Sequence, residues 1–131
     1  MADLITARTA MRHHVGPRAD VPVELYYSTG DPWAIRCYFP KEPVPVFWAF
    51  GRDLLAEGLV GPSGDGDVHI RPVDGRTTLL ALCGPTGDGI AALRAPTRDL
   101  AAFLTRTHRL VPPGAEGELV DWDGCIRRLL R

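Results

Sequence analysis

Lysine is almost missing from this chain: Lys41 is its one lysine, and the other 14 of its 15 basic residues are arginine. That scarcity bears on the glycine run Gly61-Pro62-Ser63-Gly64-Asp65-Gly66, whose outer glycines have the spacing of a phosphate-binding loop. Asp67 stands where such a loop needs its lysine, and Val68 where it needs Ser or Thr. The order of elements is also reversed. A short helical segment enters the run and a strand leaves it, so no helix N-terminus faces an anion. The run reads as a structural turn. Serine is scarce too: Ser28 and Ser63 are the only two, and neither lies in a strand-to-helix elbow, which argues against a serine nucleophile.

Cysteine is limited to Cys37, Cys83 and Cys125, an odd number with no C-x-x-C pair, and each sits in an apolar or helical pattern. They read as buried thiols of a reducing cytosol, and a Cys–His dyad stays open only as an alternative. The four histidines, His13, His14, His69 and His108, form no H-E-x-x-H and no zinc spacing with the cysteines. Asp65, Asp67 and Asp88 lie in glycine turns without the alternating oxygen ligands and distal Glu of a calcium loop. No metal or cofactor is expected. No excess of one charge exists either, 15 basic against 16 acidic residues, so no global field draws the chain to nucleic acid or an anionic membrane. Long apolar runs are missing, which leaves no signal peptide and no membrane insertion to expect.

A length of 131 residues suits one domain that buries about two-thirds of its unfolded surface. Period-two patterns predict strands: Val21, Val23, Leu25 and Tyr27; then Trp33, Ile35, Cys37 and Phe39; then Val44, Val46, Trp48 and Phe50. Short turns separate them, as antiparallel neighbours require. Trp33 and Trp48 accordingly read as core. Arg52 to Glu57 predicts a brief helix, stopped by Gly58 in a left-handed cap. Val68 and Ile70 begin another strand, with His69 and Arg71 on its polar side, and Asp74-Gly75 turns it back into Leu79–Cys83. Gly84–Gly89 echoes the first glycine run before a strand over Ile90–Arg94, and Leu4–Val15 supplies a further strand.

Pro96 opens a helix with Leu100, Phe103, Leu104 and Thr107 on one face. A last short helix is predicted from Asp121, with Trp122, Cys125, Ile126, Leu129 and Leu130 as its stripe. The sum is an α+β domain, a curved antiparallel sheet of about six to seven strands with two or three packed helices. Arg8, Arg12, Arg18, Arg94, Arg98, Arg106 and Arg109, with Tyr26, Tyr38 or Trp48 as stacking platforms, suggest a nucleic-acid patch, but balanced acidic residues favour an ordinary solvated surface.

Tyr26-Tyr27 with Asp31–Ile35, Trp48–Leu59, Gly64–Val68, and Phe103–Thr107 with Val111–Gly114 together resemble the SsgA-like proteins, the sporulation and cell-division regulators of morphologically complex actinomycetes. The resemblance spans nearly all of the chain after Val21. It implies a single SsgA-like domain of whirly-type fold, a homotrimer, and a non-enzymatic cytoplasmic protein at division septa. It also implies action on septum sites through the tubulin-like GTPase FtsZ or another SsgA-like protein, with no catalytic residue carried over. Trp33 replaces a common Tyr, Gly51 a common Ala, and Arg71 a residue that is often aromatic; the last exchange bears on a partner surface and hardly on the fold. Polar residues around the helical turn and glycine loop, Arg52, Asp53, Glu57, Asp67 and Arg71, are the candidate partner surface. Local pairing or capping is the alternative role for Arg52 and Asp53. The alternative function is single-stranded nucleic-acid binding on a whirly-like fold.

Overall fold

The computed structural model describes residues 2–16, 19–40, 45–83, 89–119 and 129. Four strands come first, β1 (Leu4–His13), β2 (Asp20–Ser28), β3 (Asp31–Phe39) and β4 (Val46–Gly51), followed by helix α1 (Arg52–Gly58). Four more follow, β5 (Ser63–Asp65), β6 (Val68–Pro72), β7 (Thr77–Cys83) and β8 (Gly89–Pro96), and then helix α2 (Thr97–Leu110) and a 3₁₀ turn over Glu116–Leu119. The chain thus makes a four-strand antiparallel meander capped by a helix, twice. One sheet results, in the order β4-β3-β2-β1-β8-β7-β6-β5.

The two meanders meet at β1 and β8, and that seam is short. Among the described residues Arg12 pairs with Arg94 and His13 with Leu93 across it, and the His14 amide donates to the Ala92 carbonyl at 2.8 Å, whereas β1 pairs with β2 over nearly its whole length. Helix α1 touches β3 and β4 at one end of the sheet and β5 and β6 at the other. A helix can reach both ends only if the sheet curls around it, so the sheet forms a half-barrel with the helices in its concave side. The core is the alternate residues of that side, among them Met11, Val23, Leu25, Tyr27, Ile35, Cys37, Ile70, Leu80 and Leu93, packed on Leu55, Leu100 and Phe103.

The α+β class, the curved antiparallel sheet and the four helical contact positions Leu100, Phe103, Leu104 and Thr107 agree with expectation. The strand count is eight because the glycine run itself pairs: Ser63 with Ile70, Gly64 with His69, and Asp65 with Val68. Glycine leaves room there for the His69 ring as it stands. A Cβ on Gly64 would lie 2.2 Å from His69 Nδ1, and Gly66 turns the hairpin at φ +60°.

Gly58 does not take the left-handed cap. It is the last residue of α1, and a Cβ on it would come within 2.3 Å of Ile70 Cγ2, so its role is close approach of helix to strand. Pro96 stands one residue before α2 rather than inside its first turn. Trp33 leaves the core and is 44% exposed. Between the pairs Tyr26–Arg36 and Ser28–Asp31, Tyr27 alone stands opposite Pro32 to Ile35, and this irregularity breaks the alternation. Pro32 is buried instead, and its carbonyl accepts the Tyr27 hydroxyl at 2.8 Å. The second glycine turn, 84–88, lies outside the described residues, as does the predicted helix from Asp121 apart from Leu129, which is helical but 83% exposed.

Candidate partner surface

Helix α1 and the β5–β6 hairpin form one unit. Ser63 Oγ donates to the Leu54 carbonyl at 2.8 Å, Gly58 lets the helix press on Ile70, and the Cys83 amide donates to the Asp67 carbonyl at 2.8 Å. Leu55, Val68 and Ile70 fill the inner side of this unit. Asp53 and Glu57 are exposed one turn apart on α1, Asp67 is exposed at the hairpin tip, and Val60 beyond the helix is 86% exposed. Arg71 is exposed too, but it alternates with Val68 and Ile70 and so lies on the convex side of the sheet. The five sequence candidates therefore do not form one surface: Asp53 and Glu57 are exposed on α1, Asp67 is exposed at the hairpin tip, and Arg71 is exposed on the convex side.

Arg52 is a correction, because it is wholly buried. As the first residue of α1 it points inward, where Nη1 donates to the carbonyls of Val111 at 2.6 Å and Thr107 at 3.2 Å. Nη2 donates to Glu116 Oε1 at 2.5 Å, and the guanidinium lies over the Tyr27 ring at 5.1 Å. The two accepting carbonyls lie at the C-terminal end of α2, which carries negative partial charge: Thr107 also accepts the Val111 amide at 2.8 Å, and Val111 is the residue that follows the helix. One side chain thus ties together α1, α2, the 3₁₀ turn and β2. Its Nε is buried without a partner among the described residues.

The electrostatics follow from this cluster. The hydrogen bond from Arg52 holds the Glu116 carboxyl below its ordinary pKa. Burial, with the Arg52 charge adding to it, lowers that of His108, and burial raises that of the Tyr27 hydroxyl. A buried arginine with its carboxylate, two carbonyls and a ring is a structural joint. Sequence reasoning missed Glu116 and Tyr27 as its partners. The only local signal was an arginine directly after a strand whose apolar face was already buried.

Elsewhere, burial pushes the Cys37 thiol up to about 12, where no reactive thiolate is present at neutral pH. No group of three or more His, Cys, Asp or Glu among the described residues is placed to hold a metal ion. No helix among them is long and apolar enough to cross a membrane. Aromatic side chains mark the convex side instead: Phe47, 69% exposed, packs on Tyr38 with ring centroids 4.8 Å apart.

Residues 21–116, which span the Arg52 joint and the rim of α1 and the hairpin, match the family model described as Streptomyces sporulation and cell division protein, SsgA. The chain belongs to the SsgA family. Among its relatives is the sporulation-specific cell division protein SsgB of Kineococcus radiotolerans, 44% identical over 92% of this chain and 74% of that protein. SsgB of Streptomyces coelicolor is 42% identical over 84% of this chain and 82% of that one. Two solved SsgA-family structures superpose on it. One, reported with mutations in SsgB that correlate to longitudinal cell division during sporulation of Streptomyces coelicolor, has a TM-score of 0.81 at 39% identity, covering 92% of this chain and 98% of that one. The other, an SsgA-like sporulation-specific cell division protein of Thermobifida fusca, has a TM-score of 0.82 at 32% identity over 97% and 95% of the two chains.

Proposed function

We propose that the chain is a non-enzymatic regulator of sporulation-specific cell division that works by binding. The observation that carries this reading is the family match over residues 21–116 together with relatives named as sporulation-specific cell division proteins across most of the chain. The buried state of Arg52 supports it further, since the strongest polar cluster of the helical layer is spent on holding elements together. The partner-facing surface is the rim of Asp53, Glu57 and Asp67 with the exposed Val60 beside it. Its partner is a component of the division machinery, FtsZ or another SsgA-like protein, in the cytoplasm at the septum. The chain acts there as a homotrimer, in keeping with its family resemblance.

Cosedimentation with polymerised FtsZ, and with a purified SsgA-like protein, tests the reading. Binding that weakens in the variant carrying Asp53→Ala, Glu57→Ala and Asp67→Ala is expected with at least one of them. Binding to neither, or binding that the triple substitution leaves unchanged, defeats the assignment of that rim. Solution mass measurement tests the trimer separately.

A further inference from the structure

On the convex side, Arg12 and Arg94 stand directly opposite each other in the short β1–β8 seam, and both are exposed. Like charges at opposed cross-strand positions weaken a sheet, and among the described residues this seam is short, two paired positions and the His14 amide on the Ala92 carbonyl. Each guanidinium is oriented through its Nε: that of Arg12 donates to Asp20 Oδ1 at 2.9 Å, and that of Arg94 to His14 Nδ1 at 2.9 Å. The two Nη nitrogens of each have no hydrogen-bond partner among the described residues.

Beside this pair the ladder stops, and a cleft of about 440 Å³ opens between β1 and β8. Arg12, Arg94, Arg76 and Thr77 line it, together with Ala10 and Ala95. Arg76 makes no ion pair among the described residues. Three arginines against the single Asp20 leave an excess of two positive charges in the cleft (3 − 1), on a chain whose formal net charge is −1. Asp74 feels the Arg94 charge as well, but the hydrogen bond from the Arg76 amide at 2.8 Å is the main cause that holds its carboxyl below the ordinary value.

We infer that this cleft is an anion site for a phosphoryl-bearing ligand, which bridges Arg12 and Arg94 and closes the seam. A carboxylate supplies one negative charge, whereas a phosphate monoester carries about 1.5 to 2 at neutral pH and offers three acceptor oxygens to the arginine forks. The match is to the second. Asp20 ends the positive row at β2, so the site takes a compact anion rather than a long polyanion track.

The probe is inorganic pyrophosphate, titrated calorimetrically into the full chain in phosphate-free buffer at low ionic strength, with thermal melts in parallel. Saturable binding and a rise in melting temperature are expected, with affinity reduced about tenfold or more in Arg94→Gln and in Arg12→Gln. Both positions are exposed, and unchanged circular dichroism of the variants confirms folding. Absent binding, binding the substitutions do not weaken, or a melt that pyrophosphate does not raise overturns the site. A short oligothymidylate that binds where pyrophosphate does not also overturns it, in favour of a polymer surface.

Discussion

Arg52 lies sealed between two helices and the sheet, with a carboxylate, two carbonyls and a ring around it, whereas Arg12, Arg76 and Arg94 line an open cleft on the opposite side of the same sheet. In the first cluster the protein itself supplies nearly every partner, so removing the guanidinium leaves the buried Glu116 carboxylate without its cation and the Val111 carbonyl without this donor. In the second, water or a ligand supplies what the chain does not. The difference teaches that arginine-rich composition says nothing by itself about partners. Where the charge is matched internally it holds the fold, and where it is left in excess it is available for recognition.

The largest effect is expected from Arg52→Met. Taking one member out of a buried, hydrogen-bonded ion pair costs about 3–5 kcal/mol, a large share of the roughly 5–15 kcal/mol that holds a domain together. Equilibrium denaturation should show that loss, and Arg52→Met with Glu116→Leu should recover part of it. A loss no larger than that of Arg94→Gln would erase the contrast. Gly58→Ala comes next, at about 1–3 kcal/mol, because its methyl would meet Ile70 Cγ2 at 2.3 Å. Gly61→Ala, with nothing within 4 Å of the added carbon, is the matched control and should be far milder.

Acid pH separates the two clusters more gently. Because the Glu116 carboxyl is held below its ordinary value of 4.5 in the folded chain, its stabilisation is fully present above that value. It is lost as pH falls through the lower folded value. Glu116→Gln should flatten that part of the acid stability profile, and an unchanged profile would show that the pair contributes nothing there. The smallest stability effect is expected from Arg94→Gln, within about 0.5 kcal/mol of the parent without ligand, as for most exposed positions.

Much of the sheet was legible because its period is simple. Val23, Leu25 and Tyr27, and Ile35, Cys37 and Phe39, alternate as a half-buried strand must, and all six are buried. Helix α2 was legible for the same reason at its own period. The failures share a cause in long-range geometry. Arg52 looks like a surface residue until Glu116, 64 positions away, and the end of α2 are brought to it. Trp33 obeys the alternation in sequence, but the irregular pairing around Tyr27 turns it out. Ser63–Asp65 sits in a glycine-rich run that reads as a turn, yet it pairs with β6, and Gly64 leaves room for the His69 ring opposite it. Of the candidate surface, Asp53, Glu57 and Asp67 were readable as exposed turn and helix residues and Arg71 as lying on the polar side of its strand, but only the curl of the sheet tells that this side is the one away from α1.

The measurement that bears most directly on a division protein with a structural Arg52 and a binding rim is the count of sporulation septa in a deletion strain. The strain is complemented with the wild-type chain or with the Asp53→Ala, Glu57→Ala, Asp67→Ala variant at matched protein levels. Loss of septa on deletion, rescue by the wild type and failure of the triple variant is the predicted result. Normal septation in the deletion strain, or full rescue by the triple variant, would contradict it.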